Sequence, residues 1–199
     1  MSVLEIITPE NEYSRQYRIG HFLTIVACLL ALLYGINTRS SILSGTTPYR
    51  NVQFGIAVNY PQNWLIDTDG DYVLRVRDMT RIGYKTTMQI AIRPIGGDMT
   101  ERNVFDNLNL VRSRALSTYD VQSTDEIRLT EDVIATAMTY TFVDTATNKF
   151  LQTVPTVVTG RDILIIRGEQ AIVVTFRSGS DTFEDDIAIF DRILSTLEY

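Results

Sequence analysis

The chain has 199 residues, a formal net charge of −6 at pH 7, one cysteine and one histidine. That length suits one membrane-crossing segment plus one domain of about 150 residues. The acidic balance argues against a nucleic-acid partner and against electrostatic docking on anionic lipid, and a single cysteine excludes an internal disulfide framework. Residues 1–47 carry three Glu and three Arg, so the acidic excess lies entirely in residues 48–199.

Residues 1–18 read as a short N-terminal tail. Thr8-Pro9-Glu10 has the form of a helix start, with Thr8 as N-cap and Pro9 at the first helical position. Ile19 to Ile36 then runs for eighteen residues without a formal charge. At 1.5 Å per residue it spans roughly 27 Å, close to a hydrocarbon core. Leu, Ile, Val and Phe dominate between Phe22 and Leu33, Tyr17 and Tyr34 lie near the ends, and Arg18 and Arg39 mark the boundaries. The segment is expected to be a transmembrane helix over 19–36.

Three readings of it compete. An uncleaved signal-anchor fits the length. A cleaved secretory signal lacks a convincing small-x-small site after Tyr34. A lipoprotein signal fits Ile25-Val26-Ala27-Cys28, but the apolar run continues past Cys28 to Ile36. Arg15 and Arg18 precede the run and Arg39 follows it. That bias points to a cytoplasmic N-terminus and an extracytoplasmic C-terminal domain on a cell (inner) membrane. His21 reads as an interfacial polar residue. Ala27, Ala31 and Gly35 share one face of the helix, a spacing that lets a partner helix approach closely. The bilayer and integral membrane subunits are therefore the expected partners.

Residues 37–48, rich in Ser and Thr, read as a linker, and residues 49–199 as the domain. Val52, Phe54, Ile56, Val58 and Tyr60 alternate with smaller or polar residues, which predicts a half-buried strand ended by Pro61. Leu74 and Val76, then Met88, Ile90 and Ile92, predict two more strands of an antiparallel meander. Val104, Leu108, Val111 and Ala115 recur at helical spacing, so a helix is expected over 100–119 with Thr100 as N-cap. Strands are expected at 121–129, 133–143, 149–158 and 171–176, with a further apolar run at 163–166. Asp181 and Glu184 resemble a capping box. They would open a closing helix whose stripe is Phe183, Ile187, Phe190, Leu194 and Leu197.

Phe54-x-Ile56-x-x-x-Tyr60-Pro61-x-x-Trp64 resembles the opening motif of the PsbP family, the extrinsic proteins of photosystem II and their bacterial relatives. Ile172-x-x-Thr175-Phe176, followed by Phe183-x-x-x-Ile187-x-x-Phe190, resembles its closing strand and helix. The likeness covers residues 49–199. It implies an α+β fold: an α/β/α sandwich with a mainly antiparallel sheet, here behind a single transmembrane helix. It also implies a domain that binds proteins and does not catalyse. The plant members are soluble lumenal proteins, so the anchor is a departure. The domain has no histidine, so no His-based manganese or zinc site carries over.

The residues offer little independent chemistry. Asp67, Asp69 and Asp71 stand at positions 1, 3 and 5 of an EF-hand-like count, with Asp78 at position 12, but glycine sits at position 4 instead of 6. A hairpin turn explains the run more simply. The Asp125-Glu126 and Asp185-Asp186 pairs read as solvated. Arg75, Arg77, Arg81 and Arg93 could form a basic patch for an acidic partner. No cofactor and no nucleic acid is expected. The expected function is a non-catalytic accessory subunit of a membrane electron-transfer complex, photosynthetic or respiratory. The alternative is an anchored carrier or sensor of a lipid or other small apolar ligand.

Overall fold

The computed structural model describes residues 12–81, 83–97, 99–129, 133–145 and 154–199. The chain divides into two compact units, Met1–Gly45 and Thr46–Tyr199. The described part of the first unit is one helix, α1 (Glu12–Ser44). Its stretch Tyr17–Arg39 is long and apolar enough to cross a membrane. Phe22, Leu23, Leu29, Leu30 and Leu33 are all exposed, and no formal charge lies between Arg18 and Arg39. The helix also continues through residues 37–44, where composition reads as linker. No Pro or Gly interrupts that stretch before Gly45, and Thr38 satisfies its hydroxyl on the Tyr34 carbonyl at 2.8 Å. The helix start expected at Thr8-Pro9 lies outside the described residues.

Among its described residues the second unit contains nine strands and two helices. Strands β1 (Thr46–Asn51) and β2 (Ile56–Pro61) form an antiparallel hairpin with Tyr49 opposite Val58. The other strands are β3 (Leu65–Asp67), β4 (Leu74–Arg77), β5 (Thr87–Pro94), β6 (Ser117–Arg128), β7 (Ile134–Asp144), β8 (Thr156–Arg167) and β9 (Gln170–Gly179). They form one seven-stranded sheet in the order β3-β4-β5-β9-β8-β7-β6, antiparallel at each pairing. The helices are α2 (Glu101–Ala115) and α3 (Phe183–Leu194).

Both faces of the sheet are covered. On one, Ile163, Ile165, Ile172, Val174 and Phe176 pack with Phe190 and Ile193 of α3 and with Ile56, Val58 and Tyr60 of β2. On the other, Met138, Tyr140, Leu164 and Val173 pack with Val104, Phe105 and Leu108 of α2. The result is an α/β/α sandwich around an antiparallel sheet. β2 ends at Pro61, and Trp64 turns back, its N–H donating to the Pro61 carbonyl at 3.0 Å, to bury its indole beside Tyr60.

Several local expectations change. The strand expected from Val52 begins only at Ile56, because Val52 and Phe54 belong to the hairpin turn, where Gly55 adopts φ +67°. Thr46, Thr47 and Pro48 are strand, not linker; β1 pairs only with β2, so its proline costs no ladder bond on the open side. α2 stops at Ala115, and residues 117–119 already belong to β6. Thr100 caps α2 by accepting from the Asn103 N–H at 3.4 Å. On that helix Val111 is 57% exposed and Arg112 is buried in its place. The Asp181 capping box is not formed, because the N-cap of α3 is Thr182, whose hydroxyl turns toward Ser178 and Gly179. Of the strand expected at 149–158, residues 149–153 lie outside the described residues. β8 starts at Thr156 and runs unbroken through the apolar run 163–166.

Gly160 of β8 stands opposite Tyr140 of β7. A Cβ added to it would fall 2.3 Å from the Tyr140 ring. Gly160→Ala is therefore expected to lower stability by about 1–3 kcal/mol through overpacking, read as a lower urea midpoint; an unchanged midpoint would show that the ring is not held there.

Candidate functional site

Polar chemistry gathers in three places in the domain. The first is an open groove of about 760 Å³ whose lining includes Tyr49, Asn51 and Phe54 of the hairpin, with Tyr72, Ile92 and Arg93 of the sheet edge. The Tyr49 hydroxyl donates to the Val73 carbonyl at 2.8 Å, and the Asn51 amide donates to the Tyr49 oxygen at 3.3 Å. These bonds hold the hairpin to the sheet edge and leave Arg93 exposed in the groove.

Asp67 ends β3 opposite Arg75 of β4. It accepts hydrogen bonds from Arg75 and, at 3.1 Å, from Arg77. The Arg75 guanidinium, followed by the Asp69 N–H, holds the Asp67 carboxyl well below the usual carboxylate range. Arg75 also lies 4.4 Å over the Tyr72 ring. Loss of hydration and then the Asp67 carboxylate push the Tyr72 phenol up.

These contacts reassign two groups of candidates. Asp67 is neutralised by two arginines, and among the described residues no group of three or more His, Cys, Asp or Glu is placed to hold a metal ion. The Asp67-Asp69-Asp71 run is a loop closed by the Asp69 N–H on the Asp67 carboxylate at 3.0 Å and by the Tyr72 hydroxyl on the Asp69 carbonyl at 2.6 Å. Asp78 turns to Thr80, whose N–H it accepts at 2.9 Å, and to Arg81 at 3.7 Å. The basic patch is likewise divided. Arg75 and Arg77 serve Asp67, Arg81 serves Asp78 and Asp186, and Arg93 stands in the groove.

The second place is on the α2 face of the sheet. Asp162 of β8 is fully buried and accepts both terminal nitrogens of Arg112, together with the Thr175 hydroxyl at 2.7 Å. Arg112 lies 4.5 Å over the Tyr140 ring, and Arg177 donates to the Tyr140 oxygen at 3.0 Å. Burial disfavours the Arg112 cation, but Asp162 outweighs it and the guanidinium stays charged. Burial pushes the Tyr140 phenol far up. The third place is on the α3 face. Asp186, expected to be solvated, is fully buried and accepts from Arg81, Thr86, Ser178 and Thr182. Both acids are satisfied by fixed donors, which describes a structural pin and not a poised acid or base.

Both pins escaped the sequence reading, although signals were present. Asp162 directly precedes the apolar run 163–166, Arg112 follows Leu108 at i+4, and Asp186 lies at i+3 from Phe183 and i−4 from Phe190, on the apolar stripe. On α1, Ala27, Ala31 and Gly35 do share one face by helical spacing, and a Cβ added to Gly35 would touch nothing within 4 Å.

The sequence matches no protein-family model and no curated protein. Among solved structures, the chain is similar to cyanobacterial PsbP (CyanoP) from Synechocystis sp. PCC 6803. The TM-score is 0.57 at 14% identity, covering 78% of this chain and 94% of that one. The domain has the PsbP-like fold. It is also similar to PA94 of Pseudomonas aeruginosa, a protein of unknown function described as a putative regulator, with TM-score 0.51 and 12% identity over 78% of this chain and 98% of that one. The fold expected from the Tyr60-Pro61-x-x-Trp64 motif is thus the fold observed, and this PsbP-like domain follows an N-terminal apolar helix.

Two measurements probe the polar clusters of the PsbP-like domain. Asp162→Ala leaves Arg112 buried without its counter-charge and is expected to cost about 3–5 kcal/mol in urea unfolding. Replacing Arg112 by Met and Asp162 by Leu together is expected to recover most of it. For Asp67, the folded carboxyl titrates below its unfolded value of about 3.9. Its contribution is therefore present above that value and lost as pH falls through the folded one. Wild type should lose more stability than Asp67→Asn between about pH 5 and pH 2; parallel curves would assign Asp67 no role.

Proposed function

We propose that the protein is a non-catalytic, single-span accessory subunit of a membrane electron-transfer complex, photosynthetic or respiratory, and that it presents its PsbP-like domain outside the membrane. The observation that carries the reading is one chain joining a helix apolar enough to span a bilayer to a domain with the fold of cyanobacterial PsbP. Only Gly45 separates that helix from the first strand. α1 runs past Cys28 without interruption to Ser44, which supports a retained anchor over a signal ending at the cysteine. The arginines flanking the apolar run favour a cytoplasmic N-terminus on a cell (inner) membrane.

Two surfaces suit such a role. The Ala27, Ala31 and Gly35 face of α1 lets a helix of an integral membrane subunit approach closely. The groove of the domain offers Tyr49, Phe54, Tyr72 and Arg93, residue types that concentrate at the centres of protein interfaces. The engagement of Asp162 and Asp186 by fixed donors supports a binding role over a catalytic one.

Purification of the full-length chain from its native membrane in mild detergent tests this. Integral membrane subunits bearing redox cofactors, visible in the absorption spectrum, are expected to co-purify and to be lost on Arg93→Glu combined with Ala31→Leu. A chain that runs alone, while residues 46–199 retain a lipid, would replace the subunit by the carrier.

A further inference from the structure

β8 carries two consecutive charges, Arg161 and Asp162, at the entrance to the apolar run 163–166. Strand alternation sends them to opposite faces of the sheet. Asp162 meets Arg112 on the α2 face, whereas Arg161 shares the α3 face with Ile163 and Ile165. The Arg161 Nε is buried without a hydrogen-bond partner, and among the described residues Arg161 enters no ion pair. Arg75 also has an unpartnered Nε, but its guanidinium is held by Asp67 and stacks on Tyr72. Arg161 as a whole is half-buried, so the unmet group is this single N–H; a buried donor without an acceptor is costly, and an acceptor entering from outside the chain would satisfy it.

Arg161 lines a cavity of about 330 Å³ between the sheet and the end of α3. The apolar part of the wall is Ile127, Leu129, Ile163, Leu194, Leu197 and Tyr199. The charged part is Arg161 and Arg128 against Asp191, with Ser195 beside them. The carbonyls at the end of α3 do not serve as acceptors for Arg161. Those of Asp191, Ile193 and Leu194 already take the N–H groups of Ser195, Thr196 and Leu197 at 2.9–3.0 Å.

We propose that this cavity binds a small amphiphile with one carboxylate head and a short apolar tail. The carboxylate pairs with the Arg161 guanidinium, whose planar fork matches its geometry. The tail lies against Leu129, Leu194 and Leu197. The volume sits at the low end of ligand pockets and suits a short acyl chain, not a diacyl lipid. The inference stands independently of the accessory-subunit role.

The test uses the full chain in lipid nanodiscs, titrated with octanoate and separately with octanol, with protein-free nanodiscs subtracted. Saturable octanoate binding about tenfold tighter than octanol is expected, from one charge-assisted contact. Arg161→Met should erase the preference while octanol still binds, Arg161→Lys should keep part of it, and Leu194→Trp should remove both ligands by filling the cavity. Circular dichroism checks that each variant is folded. A photoactivatable octanoate analogue should label wild type within residues 127–129 or 194–199, a readout that needs no variant. No binding above the protein-free background, equal affinity for acid and alcohol, a preference that survives Arg161→Met, or labelling elsewhere would each overturn the proposal.

Discussion

The central strands β8 and β9 are buried on both faces, and much else in the domain follows from that constraint. A strand covered on one side can alternate apolar and polar residues; one covered on both cannot. Ile163, Leu164 and Ile165, and Ile172, Val173 and Val174, accordingly read as continuous apolar runs, each residue handed to one core or the other. A fully buried polar group at a helix–sheet interface is matched by one from the facing element. Asp162 draws Arg112 from α2, and Ser178 meets Asp186 of α3. Each helix is therefore fixed to the sheet by one buried carboxylate as well as by its apolar stripe. Breaking either carboxylate's contacts would expose a helix–sheet interface to an unmatched charge.

The same constraint explains which parts of the fold are readable from the chain. The parity of Ile56, Val58 and Tyr60, the Met88 and Ile90 pair, the Thr100 cap and the Phe183–Phe190 stripe are local patterns, and they match the structure. What fails is decided by distant partners. Thr46-Thr47-Pro48 has the composition of a linker, yet β1 forms because β2 lies beside it. Ser117 to Tyr119 could extend α2 but pairs into β6 against β7. Asp186 stands next to Asp185, and only its place on the apolar stripe distinguishes it locally; three hydroxyls and Arg81, two of these four partners about a hundred residues away, bury one and leave the other exposed. Charge count misleads in the same way. Four arginines close in sequence look like a patch until the fold assigns Arg75, Arg77 and Arg81 to carboxylates.

The fold also limits what similarity can convey. The PsbP-like arrangement is shared, at identities of 12–14%, by a cyanobacterial PsbP and by a Pseudomonas protein described as a putative regulator. A scaffold that serves such different descriptions does not specify an activity. Function must be sought in this chain's own residues. This chain offers the long apolar helix, the aromatic groove with Arg93, and the unpaired donor of Arg161.

Those features differ in what can satisfy them. The apolar face of α1 is satisfied by any lipid, so its small-residue stripe is a permissive surface that lets a helix approach without demanding one. The groove is open and partly polar, and water hydrates it at little cost. Arg161 is the least tolerant of the three. Its Nε is shut off from bulk solvent, Ile163 and Ile165 follow it on the same face of the strand, and the carbonyls of Asp191, Ile193 and Leu194 already accept backbone N–H groups. A leucine or methionine at that position would pack against Ile163 with no polar debt. An arginine there carries a cost that the fold itself does not offset, and that imbalance weighs toward a ligand more than the larger but undemanding groove does.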